Sequence, residues 1–153
     1  MTDSYLSRYD RMADRVAAQV IGHYSTSFSL ATRVLDPGTR RDIRNLYAVV
    51  RIADEIVDGA TAEANECPET ALDVYEEQVL HAPRHRFHTD PVLHAWANPY
   101  RRCGIRDDHV RAFFSSMRRD TTQTDYNADD LGAYIYGSAE VIGLMCPVSY
   151  THL

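Results

Sequence analysis

Apolar residues recur at intervals of three and four along most of the chain, and no segment alternates with the period of two that a half-buried strand requires. Between Arg11 and Tyr24, Met12, Val16, Val20 and Ile21 fall at helical spacing, with Ala17 and Ala18 beside them. A clearer helix is expected from Asp36-Pro37, where an aspartate N-cap precedes proline at the first helical position. Its apolar stripe is Ile43, Leu46, Tyr47, Val50, Ala53 and Val57, and Gly59 is the stop. Residues Gly59–Cys67 read as a loop, Pro68 opens a helix towards Leu80, and His81–Pro91 reads as a second loop. Shorter helices are expected near Val92–Cys103 and Asp107–Arg119, and a last one over Ala128–Met145, between Asn127 as N-cap and Pro147. The predicted class is all-α.

Composition narrows the function. The 153 residues suit one domain or a piece of a larger one. A net charge of −6 argues against nucleic acid as a partner, because nonspecific binding to phosphate backbones needs a cationic surface. All 16 basic residues are arginine. The absence of lysine excludes a Walker-type phosphate loop and a Schiff base within this chain, so phosphate chemistry must rest on arginine, hydroxyls, backbone amides and metal ions. The three cysteines, Cys67, Cys103 and Cys146, are scattered and odd in number, which suits a reducing cytoplasm. No stretch is long and apolar enough to span a bilayer, and the first ten residues lack a secretory core.

The candidate chemistry lies at the end of the second helix. Asp54 and Asp58 are four residues apart and share a face, with Arg51 and then Tyr47 a turn earlier each. Like charges at that spacing repel, and no arginine at position 55 or 62 relieves Asp58. A divalent cation would relieve it. Magnesium is typically held by one or two carboxylates, with waters and substrate phosphates completing the octahedron. The pair borders the apolar stripe, so it is expected at the edge of a core or cavity, whereas Glu55 is expected to point outward into solvent.

With its neighbours, Leu46-Tyr47-Ala48-Val49-Val50-Arg51-Ile52-Ala53-Asp54-Glu55-Ile56-Val57-Asp58-Gly59 resembles the first aspartate-rich motif of the squalene/phytoene synthase family. Ser25-Thr26-Ser27-Phe28-Ser29 resembles that family's diphosphate-contacting serine segment, and Phe113–Asp120 and Tyr134–Gly143 resemble two further segments, the last especially like bacterial phytoene synthases. The resemblance implies an isoprenoid synthase-type fold of helices around a central cavity, and head-to-head (1′-1) condensation of two prenyl diphosphates. Carried over by position, Asp54 and Asp58 would hold magnesium, or alternatively manganese, on the donor diphosphate. Arg51 and Tyr47 would contact diphosphate oxygens, and Tyr24, Ser25, Thr26 and Ser27 would line the same region. Tyr134 would face the reaction centre, where an aromatic face can stabilise a carbocation, with Ser138, Ala139 and Ile142 along the hydrocarbon channel. The expected reaction takes geranylgeranyl diphosphate to phytoene, in carotenoid biosynthesis. A squalene or dehydrosqualene-type synthase using farnesyl diphosphate is the alternative, with NADPH needed only for squalene. A noncatalytic helical assembly module is the third reading.

Glu140, Ile135 and Tyr24 depart from the most familiar family pattern, which bears on substrate rather than membership. Family members continue into helices with a second acidic motif, so residues 1–153 read as the N-terminal part of a single domain, family-like to residue 147 with 148–153 as an atypical tail. The chain alone is therefore expected to be inactive. The expected location is cytoplasmic, with weak peripheral association at the inner face of the membrane, because substrate tails and product are hydrophobic. The oligomeric state is not legible. Other clusters take plainer readings: His81, His85 and His88 are interrupted by Pro83 and do not suit a metal site, Asp120 beside two arginines suits a local ion pair, Trp96, Phe113, Phe114 and Met117 suit packing, and Arg40, Arg41 and Arg44 suit a solvated helix face from which Arg44 could reach phosphate.

Overall fold

The computed structural model describes residues 3–24 and 32–121, and among them every regular element is helical. Helix α1 (Tyr5–Tyr24) begins earlier than its apolar spacing predicts, because Ser4 caps it: the Ser7 amide donates to Ser4 Oγ at 3.0 Å. Helix α2 (Pro37–Asp58) follows the predicted limits. Asp36 accepts from the Thr39 amide at 3.1 Å, and Gly59, at φ 140°, closes the helix with its N–H on the Glu55 carbonyl. A single turn, α3 (Ala60–Glu63), occupies part of the predicted loop. Helices α4 (Pro68–His81), α5 (Pro91–Arg102) and α6 (Asp107–Thr121) complete the described fold. The expected last helix, from Ala128 to Met145, lies outside the described residues.

Helix α2 is the hub, packed against α1, α4, α5 and α6, while α1 also meets α5 and α4 meets α6. That central position explains why α2 buries more than its predicted stripe: Ala48 and Val49 are inside alongside Leu46, Val50 and Ala53. Trp96 of α5, Phe114 and Met117 of α6 and Leu72 of α4 are all fully enclosed around it. Helix α1 differs from expectation. Its buried line is Ala13, Ala17 and Ile21, with Val16 and Val20 beside it, whereas Met12 is 37% exposed. Small alanine side chains allow the axes of α1 and its neighbours to approach closely, so steric fit outweighs the hydrophobicity of the side chain.

Two polar ties fix the helices that carry the candidate site. Pro99 lies inside α5 and has no N–H to give the Ala95 carbonyl one turn earlier. Asn45 of α2 fills that role: its Nδ2 donates to Ala95 O at 3.2 Å and to Asp14 Oδ1 of α1 at 3.1 Å. One amide thereby joins three helices. Nearer the surface, buried Asp42 of α2 is paired with Arg102 at the end of α5.

The histidines form a second tie. Buried His94 of α5 donates through Nε2 to Asp10 of α1 at 2.6 Å and accepts the His88 amide on Nδ1 at 3.2 Å. Asp10 also receives Arg86 at 3.1 and 2.7 Å, and His88 Nε2 donates to the Ala82 carbonyl at 2.6 Å. Arg86 on Asp10, with the His88 carbonyl accepting from Tyr9 Oη at 2.5 Å, thus fastens the loop before α5 onto α1. No group of three or more histidine, cysteine or acidic side chains gathers to hold a metal ion among the described residues.

Candidate functional site

The second half of α2 carries Tyr47, Arg51, Asp54 and Asp58, separated by four, three and four residues, so all four project from one face. Val50 and Ala53, 8% and 0% exposed, anchor this part of the helix in the core. The polar row therefore runs along the core's edge. Tyr47, Arg51 and Asp54 are half-buried and Asp58 is exposed.

Arg51 is held from two sides. Its Nη1 lies 3.8 Å from Asp54 Oδ2, and its Nη2 is hydrogen-bonded to Glu55. The expectation that Glu55 points into solvent is corrected: its side chain is 27% exposed and rests on the guanidinium. The Arg51–Glu55 spacing of four, visible in the sequence, is the signal that could have found this pair. Burial alone would lower the Arg51 pKa. The hydrogen bond and charge of Glu55, then the charges of Asp54 and Tyr47, outweigh it and hold the guanidinium above its ordinary value.

Asp54, Glu55 and Asp58 fall within the last five residues of α2, and its last turn has no basic residue. This is the negative pole of the helix dipole, where acidic side chains are disfavoured and cations favoured. Arg51 engages Asp54 and Glu55, and Asp58 lies a full turn beyond Asp54. The donor set is hard, anionic oxygen at a negative helix terminus. It fits a magnesium ion that takes one or two carboxylates and leaves its other positions to water and phosphate.

The other residues singled out from sequence are not all placed. Tyr24 ends α1, and its side chain, like Ser25, Thr26, Ser27, Tyr134, Ser138, Ala139 and Ile142, lies outside the described residues. Asp120 falls within α6 with its side chain likewise outside them, while neighbouring Arg118 bridges Asp73, at 2.9 Å, and Glu76 of α4.

Residues 21–152 match the family model for squalene/phytoene synthase. The chain belongs to the squalene/phytoene synthase family. Over 138 residues it is 32% identical to the chloroplastic phytoene synthase 1 of Arabidopsis thaliana, a match covering 90% of this chain and 31% of that protein. It is 29% identical over 141 residues to the 15-cis-phytoene synthase of a Paracoccus species, covering 88% of this chain and 46% of the relative. The fold is similar to a crystal structure of a dehydrosqualene synthase in complex with ligand, with a TM-score of 0.69 at 22% identity, covering 92% of this chain and 48% of that one. The chain thus spans between about a third and a half of the length of these relatives. The squalene/phytoene synthase family is one in which divalent metal ions act in binding prenyl diphosphates.

Proposed function

We propose that this chain supplies the first half of the active site of a prenyltransferase that joins two prenyl diphosphates head to head, with geranylgeranyl diphosphate as substrate and phytoene as product. The observation that carries this reading is the row Tyr47–Arg51–Asp54–Asp58 at the negative end of α2, in a chain of the squalene/phytoene synthase family. Asp54 and Asp58 are the residues that would hold magnesium, with manganese as the alternative. A divalent ion there supplies Lewis-acid neutralisation of the leaving diphosphate. Arg51, a permanent cation, would donate to diphosphate oxygens, and Tyr47 lies one turn away on the same face to do the same. Val50 and Ala53 pin the helix in the core, which fixes where on its surface these donors project.

Tyr24, Ser25, Thr26 and Ser27 are assigned to the diphosphate end, and Tyr134, Ser138, Ala139 and Ile142 to the reaction centre and tail channel, by their place in the sequence. Residues 1–153 are read as the N-terminal part of one such domain. Its location is read as cytoplasmic with weak contact to the inner membrane face, and no helix among the described residues is long and apolar enough to cross a bilayer.

The test is to incubate the intact protein with magnesium and either geranylgeranyl or farnesyl diphosphate and to identify the hydrocarbon. Phytoene without a requirement for NADPH is expected. A product from farnesyl diphosphate alone would replace the substrate assignment with the squalene or dehydrosqualene alternative, for which the solved dehydrosqualene synthase fold is the favouring observation. No hydrocarbon from either would favour a noncatalytic assembly role.

A further inference from the structure

The first half of α2 carries a feature the catalytic reading does not use. Arg40, Arg41 and Arg44 of α2, with Arg15 of α1, line a cavity of about 300 Å³ between the two helices. Asp14 is the one carboxylate in its lining, which Asn45 also joins. In a chain of net charge −6, four arginines facing one carboxylate is a local inversion of sign. Arg41 is exposed, as expected of a solvated face, whereas Arg40 and Arg44 are half-buried.

The partners present do not satisfy this charge. Arg40 gives one Nη2 bond to the Leu35 carbonyl at 3.1 Å, yet its Nε is buried without an acceptor. Arg44 Nε is buried without an acceptor as well. Asp14 accepts from Asn45 and lies near Arg41, so it is already engaged away from Arg40 and Arg44. Burial, then the like charges of Arg40 and Arg33, push the Arg44 pKa down. A buried donor left without an acceptor costs more than the net gain of a typical hydrogen bond. A multivalent oxyanion held by the outer ends of these guanidinium groups would offset their mutual repulsion, and guanidinium groups match the geometry of phosphate oxygens.

We propose that the cavity between α1 and α2, walled by Arg15, Arg40, Arg41 and Arg44, is a metal-independent binding site for a small phosphate anion, inorganic phosphate or diphosphate. Arg44 and Arg51 are seven residues apart on one face of α2, so the two sites are separated by about 10 Å along the helix axis. They are distinct sites on a shared helix. The lining forms an open cleft between two helices, and the vesicle arm of the test separates a free anion from a lipid headgroup.

The test is calorimetric titration of the intact protein with inorganic diphosphate in chelator-containing, low-salt buffer. Without metal, the Asp54–Asp58 site should not compete. Arg40→Gln/Arg44→Gln should bind about tenfold more weakly than wild type or worse, as expected for losing charge-assisted bonds. Circular dichroism checks that the variants fold. Should the double arginine variant fail to fold, wild-type melting decides instead: phosphate at constant ionic strength should raise Tm, and no rise overturns the site. Unchanged affinity in the folded arginine variant, absence of binding by wild type, or loss of binding in Arg51→Gln but not Arg40→Gln/Arg44→Gln would each overturn it. So would arginine-dependent capture by phosphatidic acid vesicles without any response to free diphosphate. Because the carboxylates are silent in this assay, its failure leaves the prenyltransferase reading untouched.

Discussion

Replacing Asn45 by alanine tests whether one amide compensates for a proline in another helix. Asn45 is 1% exposed, and its Nδ2 serves Ala95 O and Asp14 Oδ1. Losing two hydrogen bonds costs about 1 kcal/mol each, and stranding the Ala95 carbonyl in the interior adds about 1 kcal/mol more. Asn45→Ala should therefore destabilise the protein by about 3 kcal/mol. The distinctive part is the coupling. Pro99→Ala restores an N–H one turn after Ala95, so the carbonyl regains a helical donor and Asn45→Ala should cost about 1 kcal/mol less in that background. Urea unfolding of wild type, both single variants and the double variant measures the term. Coupling within about 0.3 kcal/mol of zero would refute the compensation, whatever the single variants do.

Two other predictions follow from the geometry. His88 has a pKa below the usual histidine value, first because of burial and then because His94, Arg101 and His85 lie near it. Its protonation is harder in the folded state, so stability should be full above the ordinary histidine range and fall as pH drops through about 6.5 and below; His88→Gln should flatten that fall, and a wild-type Tm that is level from neutral to mildly acidic pH would contradict it. Asp10, held low chiefly by its bond to Arg86, should add a further loss only at more acidic pH, below the ordinary aspartate value. Glu55→Gln releases Arg51 from a half-buried pair whose net worth is about 0.5 kcal/mol, so KM for a prenyl diphosphate should fall about twofold with little change in stability. A KM raised tenfold would instead make Glu55 a ligand.

What the sequence disclosed and what it concealed divide along physical lines. Helix α2 was legible because its limits are set locally, by Asp36-Pro37 at one end and Gly59 at the other. The face shared by Arg51, Asp54 and Asp58 follows from helical spacing alone. The buried face of α1 was misjudged because close packing selected Ala13 and Ala17 over the larger Met12, and that choice depends on the partner helices. Asn45 on Ala95 and His94 on Asp10 join residues 50 and 84 positions apart in sequence, where no periodicity reports. Glu55 was misread for a different reason. Its position on the helix face predicts solvent, but the charge of Arg51 four residues earlier draws the side chain back along the helix.

The most direct test of the central claim is the magnesium dependence of prenyl diphosphate binding to the intact protein, followed with an unreactive thiolo analogue of geranylgeranyl diphosphate. Magnesium should tighten binding to wild type, and Asp54→Asn and Asp58→Asn should each lose at least about a tenfold share of that gain while circular dichroism stays unchanged. Equal magnesium-dependent tightening in wild type and both variants would contradict the assignment of these two carboxylates as the metal ligands.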